Sequence, residues 1–244
     1  MDAPVSDQTG PRPLDANERR VLGVLIEKAK TTPEQYPLSL NALVTGCNQK
    51  SNRDPMMTLD EEQVMRAVLS LRKSGAMAEV FGSGKIPRYR HLAYEWLGVD
   101  KEELAILAEL LLRGEQTEGD LRGRASRMDP IPDLDVLRTH LDRLADKGLV
   151  VWLSPPGRGR MLTHGLLPPE KLEKVKSQLG LVTAGVSGAP AAPTMAAEER
   201  TVSPDRDRPA STDEGGLAVR LAAVERQLAE VIARLAAVEA ARSP

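Results

Sequence analysis

The sequence holds a single cysteine, Cys47, so no intrachain disulfide can form and no thiolate-rich metal site can be assembled. Its three histidines, His91, His140 and His164, share no ligand-like spacing, which argues against a structural zinc. Aromatic residues make up only 2% of the chain, too few for the stacking platforms on which RNA-recognition and OB folds hold unpaired bases. No apolar run reaches the length of about 18 residues that a membrane-spanning helix needs. The opening segment MDAPVSDQTGPRP lacks the basic-then-apolar pattern of an exported leader, so the expected compartment is the cytoplasm. Neither sign of charge dominates: 33 Lys and Arg against 35 Asp and Glu give a formal charge of −2, so any DNA contact must come from a local patch. The phosphate loop G-x-x-x-x-G-K-[ST], the zinc motif H-E-x-x-H, the G-x-S-x-G elbow and a strand-linked G-x-G-x-x-G are all missing. No enzyme, no cofactor and no metal is therefore expected.

What is present is an internal repeat. Asp15, Glu18, Val21, Leu22, Leu25 and Ile26 map at one constant offset onto Asp100, Glu103, Ile106, Leu107, Leu110 and Leu111. Each set reads as an amphipathic helix opened by a capping box, with the Asp accepting from first-turn N–H groups and the Glu reaching back three positions later. A second offset relates Val64, Val68, Leu71 and Gly75 to Leu137, Leu141, Leu144 and Gly148, and sets His91 opposite His164. In copy one, Ser39 opens a short helix through Leu40, Leu43, Val44 and Cys47, Thr58 with Glu61 caps a longer one, and Gly75 ends it. Residues 78–81 and 88–90 then flank a glycine turn at 82–85, while copy two offers 149–153 and 160–163 around 155–159. The order is α-α-α-β-β, twice, which predicts two tandem winged-helix (helix-turn-helix) domains over residues 14–98 and 99–180. Copies of this size bury too little surface alone, so they are expected to pack together through the Tyr94–Trp96 junction.

Residues 1–13 and 181–215 are rich in Pro, Ala, Ser, Thr and charge, and read as a disordered N-terminus and a disordered linker. Beyond them, over residues 216–242, Leu217, Leu221, Val224, Leu228, Val231, Leu235 and Val238 alternate spacings of four and three, the seam of a coiled-coil helix. Arg220 and Arg234 then face Glu225 and Glu239 of a parallel partner, so a homo-oligomer is expected, with folding back on the body as the alternative.

Within this layout, Tyr36-Pro37-Leu38-Ser39-Leu40-Asn41-Ala42-Leu43-Val44, Cys47-Asn48-Gln49-Lys50-Ser51-Asn52-Arg53-Asp54-Pro55, Glu27-Lys28 and Arg113-Gly114-Glu115-Gln116-Thr117 stand out. On these strings, residues 14–168 resemble the YceH family of bacterial proteins, with Asp120 standing where the family pattern usually has Glu. The resemblance implies tandem winged helices and a bacterial cytoplasmic setting, and brings no substrate, ligand or DNA site with it.

A DNA-binding winged helix lays its third helix in the major groove and its hairpin along the neighbouring backbone. The candidate contacts are Arg66 on the third helix, Lys50 and Arg53 in the loop before it, Arg72 and Lys73 at its end, Lys85, Arg88 and Arg90 on the first hairpin, and Arg158 and Arg160 on the second. Against them stand Asp60-Glu61-Glu62 and Asp129, Asp133 and Asp135, which set carboxylates where each third helix begins. The plain alternative for these cations is a solvated surface, and for Asn48–Pro55 a turn closed by its own side chains. His91 and His164 suit packing better than catalysis, and Cys47 suits a buried apolar role. Two functions follow: a DNA-binding transcriptional regulator contacting double-stranded DNA, or an interaction scaffold for a protein partner, similar to segregation and condensation protein B.

Overall fold

Four of the helices start where the sequence supplies a carboxylate cap, at Asp15, Asp60, Asp100 and Asp133. In the computed structural model, which describes residues 11–81 and 86–186 with side chains to residue 179, α1 (Ala16–Thr31) and α5 (Lys101–Arg113) open on capping boxes Asp15/Glu18 and Asp100/Glu103. Ser39 accepts from the Ala42 N–H and starts α2 (Leu40–Cys47). The third helix, α3 (Glu61–Lys73), departs from the expectation: its capping box is Asp60 with Gln63 rather than Thr58 with Glu61. A carboxylate two residues later claims the free N–H groups, and the helix starts there. α6 (Glu118–Ala125) and α7 (Leu134–Asp146) repeat α2 and α3, capped by Thr117 and Asp133.

Both α3 and α7 end before a glycine with positive φ, Gly75 at 79° and Gly148 at 69°, which turns the chain into a hairpin. β2 (Met77–Phe81) pairs antiparallel with β3 (Pro87–His91), and β5 (Val150–Trp152) with β6 (Met161–His164). Two-residue strands, β1 (Leu38–Ser39) and β4 (Gln116–Thr117), add to the outer edges of β3 and β6, giving sheets of order β1-β3-β2 and β4-β6-β5. His91 sits opposite Met77 and His164 opposite Val150, so the repeat extends to strand register. The chain is therefore mainly helical, with two small antiparallel sheets.

The copies do not meet chiefly at the Tyr94–Trp96 junction, which forms a short helix α4 (Ala93–Leu97) with Tyr94 left 38% exposed. They meet along α1 and α5, whose apolar faces are both fully buried, and one continuous core runs through both copies. Main-chain bonds cross the seam, from Leu14 N–H to Leu166 O at 2.9 Å and from Asp54 N–H to Leu112 O at 2.9 Å. The physical reason is area: a helix stripe from each copy buries far more apolar surface than three aromatic-rich residues can. The helix α8 (Pro169–Val186) carries past residue 180, so the expected linker begins inside a helix. The coiled-coil seam from Leu217 to Val238 lies outside the described residues.

Candidate nucleic-acid interface

The outward stripe of α3 is made of residues one turn apart, Glu62, Arg66, Leu69 and Lys73, all exposed. Arg66 is paired with Glu62 at 2.8 Å along the helix. At the corresponding positions α7 presents Asp135, Thr139, Asp142 and Asp146, also exposed and with no basic residue among the four. Arg138, beside this face, turns back to the Glu118 carboxylate at 3.1 Å and to Asp135 at 3.2 Å. The two third helices thus differ in charge although their buried faces repeat.

The first sheet supplies an open cationic surface. Tyr89 is buried, so its neighbours Arg88 and Arg90 point to the opposite face of β3, where both are exposed. Arg88 donates to the Pro37 carbonyl at 2.8 Å, and neither Arg88 nor Arg90 has a carboxylate partner among the described residues. Lys50 and Lys73 are exposed and likewise carry no ion pair there. Arg72 is bound to Glu79 of β2, tying α3 to the hairpin, and Lys85 lies outside the described residues. On the second hairpin Arg158 is exposed, whereas the Arg160 guanidinium stacks on the Trp152 ring, 3.4 Å from its centroid. Arg122, Arg124 and Arg127 bond internally, to Ile131 O at 3.2 Å, Gln116 Oε1 at 2.6 Å and Glu27 at 2.8 Å.

Arg53 does not belong to this surface. Its side chain is buried, with Glu27 Oε2 at 2.6 Å, Gly46 O at 3.0 Å, Gln49 Oε1 at 2.9 Å and Asn52 O at 2.8 Å. Burial alone would raise the Glu27 carboxyl, but the hydrogen bond and charge of Arg53, with Arg127 behind, hold it below its ordinary value. Glu109 of α5, fully buried, shares Arg127 at 3.2 Å and also meets Arg113 at 3.2 Å, so one ionic network crosses the seam. Two asparagines of the Asn48–Pro55 string also bond internally, while Lys50, Ser51, Asp54 and Pro55 are exposed. Asn48 exchanges two 2.8 Å bonds with the Leu59 backbone, and Asn52, at φ 57°, accepts from Arg113 at 3.1 Å. This loop closes the structure upon itself.

The remaining titratable candidates are also structural. Burial pushes the Cys47 thiol up to about 12, away from nucleophilic chemistry. His91 is pushed down to about 4 by burial and by the Lys30 charge, and its Nδ1 accepts from the Ala93 N–H at 3.3 Å. Asp100, Glu103 and His140 lie close enough together to suggest a metal, yet both carboxylates serve the α5 capping box and Glu103 also binds Lys147 at 2.9 Å. Among the described residues no helix is long and apolar enough to cross a membrane.

Residues 14–158 match the family model described as "Protein of unknown function, DUF480". A UPF0502 protein of Rhodopirellula baltica is 55% identical over 181 residues, covering 72% of this chain and 76% of its own. A UPF0502 protein of Geobacter sulfurreducens is 45% identical over 195 residues, covering 80% of each. One from Koribacter versatilis is 47% identical over 159 residues, covering 64% of this chain and 74% of its own.

Proposed function

Since the chain belongs to the DUF480 family of bacterial proteins of unknown function, the geometry has to carry the functional reading, and we propose that each repeat is a winged helix and that the first of them binds duplex DNA. The observation that carries this reading is Arg88 beside Arg90 on the open face of β3, with Lys73 ending the outward stripe of α3, all exposed and free of carboxylate partners among the described residues. Cations held this way meet phosphate oxygens along a backbone, with the hairpin as wing, and Arg66 is the one side chain on the stripe able to make a bidentate bond to guanine. The second repeat is read as non-contacting, because Asp135, Asp142 and Asp146 would face phosphates. Self-association through the heptad seam at residues 217–238 would then bring two or more first repeats onto one duplex and raise avidity. In this reading the protein is a cytoplasmic transcriptional regulator.

Fluorescence anisotropy with a mixed-sequence duplex tests it. Three phosphate contacts give a log–log salt slope near −2.7, so affinity is expected to fall about 40-fold between about 50 and 200 mM salt. The Lys73→Gln/Arg88→Gln/Arg90→Gln variant is expected to lose most of that binding. No salt-sensitive binding at low salt, or full binding by the variant, overturns the reading.

A second reading, an interaction scaffold, is favoured by Leu69 on α3 at 54% exposure and by Phe81 and Ile86 at the end of the first hairpin at 68% and 69%. It predicts a partner whose affinity changes little with salt and falls in Leu69→Ser and Phe81→Ser.

A further inference from the structure

On the seam between the repeats, away from the α3 and β3 surfaces, lies a cleft of about 530 Å³. Its walls come from α1, the loop at 54–57, the C-terminal end of α5, the end of β6 and α8. Five cations line it, Arg19, Arg20, Arg113, Lys171 and Lys174, against the carboxylates Asp54 and Glu115. Leu111, Leu167 and Val175 give it an apolar side. The volume is that of a small-molecule site rather than a packing defect.

Arg113 is paired with Glu109, but the other four cations are short of partners. Arg20 is 2% exposed and gives its terminal nitrogens to two carbonyls, Cys47 O at 3.0 Å and Pro55 O at 2.6 Å. Its Nε is buried with no acceptor, and no carboxylate lies within ion-pair distance among the described residues. A guanidinium taken out of water without a counter-charge is costly, and folds place such groups where an anion completes them. Arg19 bonds only the Leu14 carbonyl, at 2.7 Å, and Lys171 and Lys174 are exposed without ion pairs among the described residues. Two further polar atoms of the cleft lining are buried and unpartnered, Thr163 Oγ1 and His164 Nδ1, on residues 0% and 1% exposed. A buried hydroxyl without an acceptor is uncommon in a native interior. Thr163 belongs to the same cleft lining as the incompletely bonded Arg20.

We propose that this seam cleft binds a small organic anion bearing carboxylate or phosphate oxygens, held by Arg19, Arg20, Thr163 and the two α8 lysines. Arg19 and Arg20 supply planar donors, Thr163 a hydroxyl, and the lysines at the mouth supply attraction through solvent. The apolar wall takes the carbon skeleton of the ligand. Because the walls come from both repeats, occupancy links the first winged helix to the second. This site stands independently of the DNA reading.

The test uses the full chain in sulfate- and phosphate-free buffer, titrated by calorimetry with citrate, inorganic phosphate and ATP, with the His164 imidazole resonances followed by NMR. Citrate or ATP is expected to bind at one per chain and to shift the His164 signals. Citrate alone identifies a polycarboxylate site and ATP alone an organophosphate site. Lys171→Gln/Lys174→Gln, whose side chains are exposed and whose loss leaves the fold intact, is expected to weaken binding about fivefold to tenfold. The isosteric Thr163→Val is expected to weaken it severalfold, while Lys73→Gln/Arg88→Gln/Arg90→Gln leaves it unchanged. Three results overturn the proposal: no binding of any probe up to about 10 mM, equal affinity in both cleft variants, or an equal loss in the α3/β3 variant.

Discussion

Gly23 of α1 lies directly against Leu112 of α5: a Cβ placed at position 23 would fall 2.9 Å from Leu112 Cγ and 3.3 Å from Leu111 Cβ. The close approach of the two helices, and so the shared core of the two repeats, depends on this missing methyl group. Gly23→Ala gains helix propensity of about 1 kcal/mol, but the methyl meets a side chain that is itself fully buried, and overpacking of that kind costs about 1–3 kcal/mol. The net expectation is a modest loss of stability, read as a lower urea midpoint. Gly23→Leu is expected to separate the helices and leave the chain unfolded or aggregated, whereas a rise in midpoint for Gly23→Ala would show that α5 can shift to make room.

The buried pair Arg53–Glu27 gives a second, sharper outcome. Removing the guanidinium in Arg53→Ala leaves Glu27 with Arg127 alone and strands acceptors at Gly46, Gln49 and Asn52. Breaking a buried ion pair on one side costs about 3–5 kcal/mol. Arg53→Lys is expected to recover little, because an ammonium cannot span four acceptors in the plane that the guanidinium fits. Chemical denaturation reads the difference, and a loss below about 1 kcal/mol in Arg53→Ala, the level of a surface pair, would place the side chain in solvent.

Arg53 also shows where sequence reasoning stops. Helix starts at Asp15, Ser39 and Asp100, glycine stops at 75 and 148, and the hairpins were all legible, because capping and turn chemistry act over three or four residues. The cap at Asp60 is ambiguous in sequence by two residues, since Thr58-x-x-Glu61 and Asp60-x-x-Gln63 both satisfy the local rule. The strands β1 and β4 consist of two residues each and exist only because β3 and β6 lie beside them. Arg53 in a polar loop looks like any surface cation, since its partner is 26 positions away. A signal was present: Glu27 falls one turn after Gly23 on the buried face of α1, and a carboxylate there demands a cation.

The histidines set the pH response. The unfolded chain takes up a proton on each histidine as pH falls through about 6.5. Folded His91 and His164 stay neutral down to about 4 and about 3, through burial first and then the Lys30 and Arg19 charges respectively. Between these limits the unfolded state binds more protons, so stability falls with pH by about 1.4 kcal/mol per unit for each histidine. Glu18 and Glu27, held below their ordinary values, lose their contribution only as pH drops further, through the acidic carboxylate range. Urea midpoints at pH 7.5, 6 and 5 are therefore expected to decline, and His164→Gln is expected to flatten the slope by about half. An unchanged slope in that variant would mean that folded His164 titrates with the unfolded chain.

The contact between Arg160 and Trp152 separates a structural cation from one available to phosphate. With the guanidinium 3.4 Å over the indole, and its Nε 3.4 Å from Ser154 O, Arg160 braces the second hairpin. Arg160→Gln is expected to cost about 0.5–1 kcal/mol and to shift Trp152 emission to the red as water reaches the ring. Trp96, 7% exposed in the core, would remain as a constant background. Under the proposed duplex-binding reading, Arg160 is engaged in the hairpin, so its loss is expected to leave duplex affinity within about twofold, unlike the loss of Arg88 and Arg90 from the first hairpin. A tenfold drop in duplex affinity with no change in Trp152 emission would mean that the guanidinium leaves the ring to meet DNA, and would extend the interface to the second repeat.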